Sequence, residues 1–174
     1  MKPIKVGLLG VGNVGGGTFD VLERNQEEIR RRAGRSIEVV AVSARNLERA
    51  KTRTGGKVAV VANPMDIVNN PDIDIVVELI GGYDQARELV LKAIENGKHV
   101  VTANKALLAV HGNEIFAAAQ AKGVMVAFEA AVAGGIPIIK ALREGLTANR
   151  IDWLAGIING TTNFILSEMR DKGL

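Results

Sequence analysis

Short apolar runs alternate along the chain with longer stretches in which apolar residues recur every three or four positions. The short runs predict six β-strands, at residues 4–9, 37–42, 57–61, 73–79, 99–102 and 124–128. The longer stretches predict helices whose apolar faces carry Thr18, Val21, Leu22, Asn25 and Ile29, then Ala86, Leu89, Val90, Ala93 and Ile94, and then Leu107, Leu108, Ile115, Phe116 and Ala119. Strands and helices therefore alternate as far as about residue 130.

Several of the predicted strands are apolar on both faces. The run IVVELI at 75–80 has almost no polar position, which is typical of parallel strands covered by helices on both sides. Parallel strands need crossover connections, and the predicted helices lie where those connections are required. The pattern predicts an α/β fold built on a doubly wound, mostly parallel sheet.

The amino-acid composition of the chain changes after residue 130. A small, glycine-rich stretch, AAVAGGIP at 130–137, precedes a predicted helix at 138–146, a predicted strand at 151–158 and a further helix from Thr161 onward. These elements are too few for an independent domain. We expect one domain at 1–130 and, at 131–174, the start of an α+β substrate domain that is apparently truncated.

Composition narrows the chemistry. Of the 174 residues, 47% are hydrophobic. There is no cysteine, which excludes disulfides and thiolate zinc sites. With only His99 and His111, a histidine-based transition-metal site is not expected either. The net charge of +3 with 3% aromatic residues argues against nucleic-acid binding. No apolar run reaches the roughly 18 residues of a membrane span, and no signal peptide precedes the first strand. We expect a soluble, cytoplasmic protein without nucleic-acid or membrane partners.

A glycine-rich turn follows the first predicted strand. IKVGLLG leads into GVGNVG at 10–15 and then into a helix, which is the context that a dinucleotide-binding loop requires. Gly10 permits the tight turn, Gly12 lets the backbone approach a pyrophosphate, and Gly15 allows close helix packing. The helix N-terminus, with Asn13 and Val14, would face the phosphate charge. The motif predicts a Rossmann-type NAD(P)-binding domain.

The end of the second predicted strand indicates which dinucleotide is preferred. The run IEVVAV continues into Ser43 and Arg45 with no acid to take a ribose 2′-hydroxyl, whereas a hydroxyl and a guanidinium suit a 2′-phosphate. Lys57 could add a second cation. Arg45 could instead be an exposed residue at a helix start, and Lys57 a solvated strand end. The sequence favours NADP, with NAD possible.

A lysine follows the fifth predicted strand, in TANKALLA at 102–109. Ligands of open α/β sheets bind outside the carboxyl ends of the strands, where Ala103 and Lys105 would lie beside Gly81 of the preceding turn. An ammonium at the nicotinamide end could orient a substrate carbonyl or carry its proton. Lys105 could equally be a surface lysine at a helix start. The predicted cofactor-binding set is Gly10, Gly12, Asn13, Val14, Gly15, Ser43, Arg45, Lys57, Gly81, Ala103 and Lys105.

Four segments carry a resemblance to a known family. ELIGG (78–82), GKHVVTANKALLA (97–109), FEAAVAGGIPII (128–139) and IINGTTNFIL (157–166) resemble homoserine dehydrogenase over essentially the whole chain. The resemblance implies reversible hydride transfer between NAD(P)H and L-aspartate 4-semialdehyde to give L-homoserine, in threonine, methionine and isoleucine biosynthesis. It implies Lys105 as a catalytic residue and a homodimer for the full-length enzyme.

The resemblance also implies two further sites. A monovalent cation, typically sodium, would be held by Glu129 and the backbone carbonyls of Val132, Gly134 and Ile136. Gly160 and Thr161 match positions that hold the amino-acid substrate. From the residues alone, Glu129 is a strand-end carboxylate, 130–135 is a hinge, and Thr161 belongs to a helix N-cap.

Members of the family are about twice this length or more. Because a catalytic constellation acts as a unit, we expect this chain to bind nucleotide without turnover. Two alternatives remain open. One is another Rossmann oxidoreductase of small amino or keto acids, although the absence of cysteine argues against semialdehyde dehydrogenase chemistry. The other is a non-catalytic module that senses NADPH.

Overall fold

A single six-stranded sheet organises the protein. The computed structural model describes residues 2–157 and 159–173, so Met1, Ile158 and Leu174 lie outside the described residues. All neighbouring strands pair in parallel, in the order β3-β2-β1-β4-β5-β6. The strands are β1 Ile4–Leu9, β2 Ile37–Ser43, β3 Ala59–Val61, β4 Ile75–Glu78, β5 His99–Thr102 and β6 Val126–Ala127. The predicted doubly wound parallel sheet is confirmed.

Helices connect the strands and continue after the last one. They are α1 Asn13–Arg24, α2 Gln26–Ala33, α3 Leu47–Thr54, α4 Met65–Val68, α5 Asp84–Glu95, α6 Lys105–Lys122, α7 Glu129–Val132, α8 Ile138–Lys140 and α9 Gly160–Lys172, with a π-helical turn at Ala141–Gly145. Asparagine side chains accept a backbone N–H at the start of α3, α6 and α9 (Asn46, Asn104 and Asn159). Local sequence signals therefore fix where these helices begin.

The hydrophobic core lies on both faces of the sheet. On one face α5 and α6 pack against the strands, and the five α5 residues predicted from periodicity are all buried. On the other face Phe19 of α1 packs with Leu8 and Val42. The predicted face of the first helix was wrong in part, because Val21 is exposed and Phe19 is buried. The stretch folds as two helices that meet at Asn25, so one helical periodicity does not run through it.

The strand order reverses beside β1. β2 and β3 lie on one side of β1, and β4, β5 and β6 lie on the other, so the connections leave in opposite directions. A crevice opens at the carboxyl ends of the strands at such a switch point. The glycine turn after β1 and the turn after β4 border this crevice.

The stretch after α8 differs from the prediction. A strand was expected at 151–158, but residues 151–157 have no regular structure and Ile158 lies outside the described residues. Ile151, Trp153 and Leu154 are exposed, so the segment has an apolar strand-like sequence without a neighbouring strand to complete its hydrogen bonds. Among the described residues, no helix combines the length and hydrophobicity that crossing a bilayer requires.

Candidate functional site

The glycine turn after β1 has the geometry that its sequence predicts. Gly10 has φ +93°, a conformation that favours glycine, and its N–H donates to the carbonyl of Ser43 at 3.1 Å. A Cβ on Gly15 would lie 2.1 Å from the carbonyl oxygen of Gly10, whereas a Cβ on Gly12 would meet no atom within 4 Å. Gly15 is therefore required for packing, and Gly12 leaves open space for a close-approaching ligand.

A bidentate ion pair lies beneath the same loop. The Arg53 guanidinium donates to both carboxylate oxygens of Asp20, joining α3 to α1, and a Cβ on Gly16 would lie 2.5 Å from Arg53 Nε. The hydrogen bonds from Arg53 lower the pKa of Asp20 below its usual range, against a smaller opposing effect of desolvation. The glycine at 16 thus leaves room for the cation that ties the two helices together.

A crevice of about 430 Å³ lies over the switch point. Its lining comes from the turns after β1, β2, β3 and β4, and consists of Gly10, Val11, Gly12, Ser43, Ala44, Arg45, Asn46, Arg49, Ala50, Ala62, Pro64, Leu79, Ile80 and Gln85. Two cavities of about 600 and 660 Å³ lie elsewhere on the surface, one between α5 and α6 and the other at the amino end of the sheet. Of these three, the crevice is the one that brings Gly10 and Gly12 of the predicted glycine motif together with Arg45.

Two arginines face this crevice on the β2 side. Arg45, predicted from the sequence, and Arg49, which was not, both line it beside the buried Ser43. Arg49 lies four residues after Arg45, in the first turn of α3, where its N–H donates to the Asn46 side chain at 2.9 Å. The spacing of the two arginines is the signal that could have identified Arg49.

Lys57 does not line the crevice. Its ammonium pairs with the Glu23 carboxylate at 3.1 Å, at the far end of α1 from the glycine turn. The structure therefore does not bring Lys57 together with Ser43 and Arg45. The strand it was expected to start begins only at Ala59, so Lys57 belongs to the turn after α3.

A buried carboxylate occupies the end of β4. Glu78 is fully buried, and its Oε1 accepts the backbone N–H groups of Ile80 at 3.0 Å and Gly81 at 3.3 Å. Its Oε2 accepts the hydroxyl of Thr102 at 2.6 Å, from the neighbouring strand β5. The predicted site residues do not include Glu78, although an acid inside the apolar run IVVELI is a visible signal.

The turn after β5 continues the same hydrogen-bond network. The Asn104 N–H donates to Thr102 Oγ1 at 3.0 Å, and the Asn104 side-chain amide donates to the carbonyl of Gly82. Asn104 Oδ1 accepts the N–H of Leu107 at 3.1 Å, which caps α6. Lys105, the residue that follows, is exposed and makes no ion pair with the described residues.

The position of Lys105 is unfavourable for a cation. It is the first residue of an 18-residue helix, where the unpaired N–H groups carry partial positive charge. A cation at this end lowers the stability of the helix by about 0.3–1 kcal/mol. Helix stability therefore does not explain a lysine at this position.

The residues predicted to hold a cation lie around α7. Glu129 Oε1 accepts the N–H of Ile139 at 2.8 Å and Oε2 accepts that of Lys140 at 2.9 Å, so the carboxylate caps α8. The Ile136 carbonyl accepts the N–H of Ile138 at 2.8 Å. One carboxylate with backbone carbonyls, including those of Val132 and Gly134, is an all-oxygen donor set that suits a hard cation.

Gly160 and Thr161 lie at the start of α9. The Asn159 side chain accepts the N–H of Thr162 at 2.9 Å, so the expected N-cap is present. Both Gly160 and Thr161 are exposed and neither lines the crevice. The structure does not bring them together with the glycine turn or with Arg45.

Two family models match the chain. Residues 10–129 match the model described as "Homoserine dehydrogenase, NAD binding domain", and residues 137–174 match the model described as "Homoserine dehydrogenase". The first match covers the glycine turn, the crevice and the end of β5. The change from one model to the other falls between residues 129 and 137, which include α7 and the glycine-rich stretch after it.

Individual relatives agree with these matches. A homoserine dehydrogenase of Pseudomonas aeruginosa is 72% identical over 173 residues, 99% of this chain and 39% of the relative. The crystal structure of a homoserine dehydrogenase from Thiobacillus denitrificans superposes with a TM-score of 0.91 at 74% identity, covering 100% of this chain and 40% of that one. A hyperthermophilic archaeal homoserine dehydrogenase in complex with NADPH gives a TM-score of 0.79 at 26% identity, covering 98% and 57%. The chain spans about 40% of the length of its bacterial relatives.

Proposed function

The chain belongs to the homoserine dehydrogenase family, and on that premise we propose that it is the cofactor-binding part of an enzyme that interconverts L-homoserine and L-aspartate 4-semialdehyde. The observation that carries the proposal is the crevice at the strand-order reversal, bordered by a glycine turn that only glycine can form. The family match supplies the reaction, a hydride transfer in threonine, methionine and isoleucine biosynthesis.

The preferred cofactor in this proposal is NADP. Gly12 and the N-terminus of α1, with Asn13 and Val14, would hold the pyrophosphate. At the end of β2, Arg45, Arg49 and Ser43 would offer two guanidinium groups and a hydroxyl to a 2′-phosphate at the adenosine end. The NADPH complex of the archaeal relative supports this preference, and NAD remains the second choice.

The carboxyl ends of β4 and β5 would hold the nicotinamide end. Gly81 and Ala103, in the turns after β4 and β5, would border this end, and Lys105, the first residue of α6, would lie beside it. When bound, the nicotinamide supplies or accepts the hydride. The Lys105 ammonium donates a hydrogen bond to the aldehyde oxygen of the substrate, which stabilises the negative charge that develops there.

The remaining parts of the proposal rest on the family. Glu129 and the carbonyls of Val132, Gly134 and Ile136 hold a sodium ion, and Gly160 and Thr161 bind the substrate. The cofactor domain covers 1–130 and the substrate domain begins at 131, which fits the change of family model between 129 and 137. The whole enzyme is a cytoplasmic homodimer, and the 174-residue chain binds nucleotide without turnover because it spans about 40% of its relatives.

Calorimetric titration with NADPH and NADH tests the cofactor assignment. We expect NADPH to bind more tightly, and Arg45→Ala or Arg49→Ala to weaken NADPH about ten- to hundredfold, since each removes a charge-assisted hydrogen bond to phosphate. NADH affinity should change little in either variant. Arg35→Ala is the matched control, because it removes the same charge at the amino end of the sheet, away from the crevice.

Three results would each contradict a part of the proposal. Equal weakening of NADPH and NADH by Arg45→Ala would mean that the arginine does not contact the 2′-phosphate. Absence of binding of either nucleotide to a folded wild-type chain would overturn the assignment of the crevice itself. A homoserine-dependent rate of NADP reduction typical of enzymes would overturn the expectation that this chain lacks turnover.

A further inference from the structure

The hydrogen bonds at the ends of β4 and β5 form a closed ring. From the Glu78 carboxylate the ring runs through the N–H of Gly81 to Gly82, whose carbonyl accepts the Asn104 amide. From Asn104 it returns through Thr102 Oγ1 to the other carboxylate oxygen of Glu78. Glu78 and Thr102 are register partners in the sheet, so the ring spans two adjacent strands and the two turns that follow them.

Sheet stability does not require this arrangement. A fully buried carboxylate is costly unless hydrogen bonds compensate its lost hydration, and an apolar residue would pack at this position without that penalty. Here both oxygens have partners, and the N–H groups they accept belong to the turn rather than to the strands. The carboxylate is therefore placed to hold the shape of a loop. Buried polar side-chain atoms without partners are absent among the described residues.

The ring fixes the backbone on both sides of the proposed nicotinamide position. Gly81 and Gly82 have φ +75° and +70°, so the turn after β4 bends sharply and its N–H groups point inward to Glu78. Asn104 is held by Thr102 and Gly82 and caps α6, which determines where Lys105 starts the helix. One buried side chain thus controls two turns.

We propose that Glu78 is a positioning residue, which through this ring holds the turn after β4 and the start of α6 in the geometry that binds the nicotinamide half of the cofactor. The inference rests on the proposed function, because the nicotinamide position follows from it. Thr102 is the second element of the same device: its hydroxyl both donates to Glu78 and accepts from Asn104. Neither side chain lines the crevice.

The inference is tested by measuring how this chain binds NADPH and adenosine 2′,5′-bisphosphate, which lacks the nicotinamide half. The affinity for NADPH depends on both halves of the site, while the affinity for the bisphosphate depends only on the half at Arg45 and Arg49. We expect Glu78→Gln and Thr102→Val to weaken NADPH about fivefold or more and to reduce the fluorescence change of bound NADPH, because broken ring bonds release both turns. Binding of the bisphosphate should stay within about twofold.

Matched variants separate positioning from folding. Thr102→Ser keeps the hydroxyl and should retain wild-type NADPH binding and emission. Thr54→Val removes another buried hydroxyl, one that donates to the carbonyl of Ala50 within α3, and should leave the NADPH emission unchanged. If Glu78→Gln fails to fold, the Thr102 variants test the same ring.

The outcomes distinguish this inference from the proposed function. If Glu78→Gln and Thr102→Val both bind NADPH with the affinity and emission of the wild-type chain, the positioning role is overturned and the cofactor assignment stays intact. Equal loss of NADPH and bisphosphate binding would also overturn it, since that result describes general destabilisation. Failure of the folded wild-type chain to bind either ligand would overturn the proposed function and the inference together.

Discussion

Helices α5 and α9 are similar in length and opposite in burial. In α5 every predicted apolar position is buried, and Leu89 is 1% exposed. In α9 Phe164 is 63% exposed, and Trp153 in the preceding segment is 81% exposed. Both helices have an apolar pattern, so the difference comes from the presence of a packing partner. Among the described residues, α9 is held by its caps, Asn159 and Gly173, and by the ion pair between Glu168 and Lys172 on its surface.

This comparison shows what periodicity can and cannot predict. A repeat of apolar residues predicts that a helix forms and which face seeks burial, but not whether the fold provides a surface for that face. A helix of 13 residues is marginal on its own in water. The stability of this protein is therefore concentrated in the sheet and the helices that pack on it.

The largest expected difference comes from truncating one apolar residue in each helix. Leu89→Ala should lower the free energy of unfolding by about 2–5 kcal/mol, because it leaves a cavity in the core. Phe164→Ala should change it by less than about 0.5 kcal/mol, because the ring is mostly exposed. Urea denaturation followed by circular dichroism measures both. A cost for Phe164→Ala equal to that of Leu89→Ala would mean that α9 is packed, and the comparison would fail.

A smaller but sharper effect is expected in the glycine turn. Gly15→Ala places a Cβ against the Gly10 carbonyl and should lower the free energy of unfolding by about 1–3 kcal/mol and abolish NADPH binding. Gly17→Ala is the control: its Cβ meets no atom within 4 Å, and alanine should stabilise α1 by about 0.5–1 kcal/mol. Thermal denaturation with and without NADPH gives both quantities. Similar behaviour of the two variants would contradict the packing role of Gly15.

The helix caps refine the comparison further. Asn104→Ala removes the cap of α6, which packs in the core, and should lower global stability by about 0.5–2 kcal/mol. Asn159→Ala removes the same bond from α9 and should reduce helical signal and amide protection in 160–172 without moving the global transition. Hydrogen exchange followed by mass spectrometry resolves the two segments. A global loss from Asn159→Ala would show that α9 unfolds together with the sheet.

The smallest effect is expected from the Asp20–Arg53 pair. Hydrogen bonds from Arg53 lower the folded-state pKa of Asp20, so this contribution is present above the ordinary aspartate pKa and is lost as the pH falls through the lowered value. Asp20→Asn should therefore reduce stability at neutral pH and have less effect in strong acid. Because the pair is exposed, added salt should shrink the difference. A difference between wild type and variant that does not depend on pH would contradict this assignment.

Much of the cofactor domain was predictable because its signals are local. The strands, the glycine turn, Arg45 and Lys105 were each predicted from a few neighbouring residues, and the homoserine dehydrogenase resemblance added the reaction. The Glu78 ring was not predicted, because it requires two strands to be adjacent and in register, which periodicity does not specify. The failed strand at 151–158 has the opposite cause, since its local pattern is strand-like but no partner is available in the described fold. Lys57 was misplaced because its acidic partner, Glu23, lies on another helix.

The parallel pairing of β1 with β4 has a consequence for synthesis on the ribosome. The N–H of Lys5 in β1 donates to the Asp74 carboxylate just before β4, 69 residues later. Because translation adds about 5–20 residues per second, roughly 3 to 14 seconds pass between the synthesis of β1 and that of this neighbour, and during this time one edge of β1 is unpaired. A nascent chain that stalls before β4 would expose an apolar edge to other chains, so the speed of translation through the first 78 residues sets how long aggregation can compete with folding.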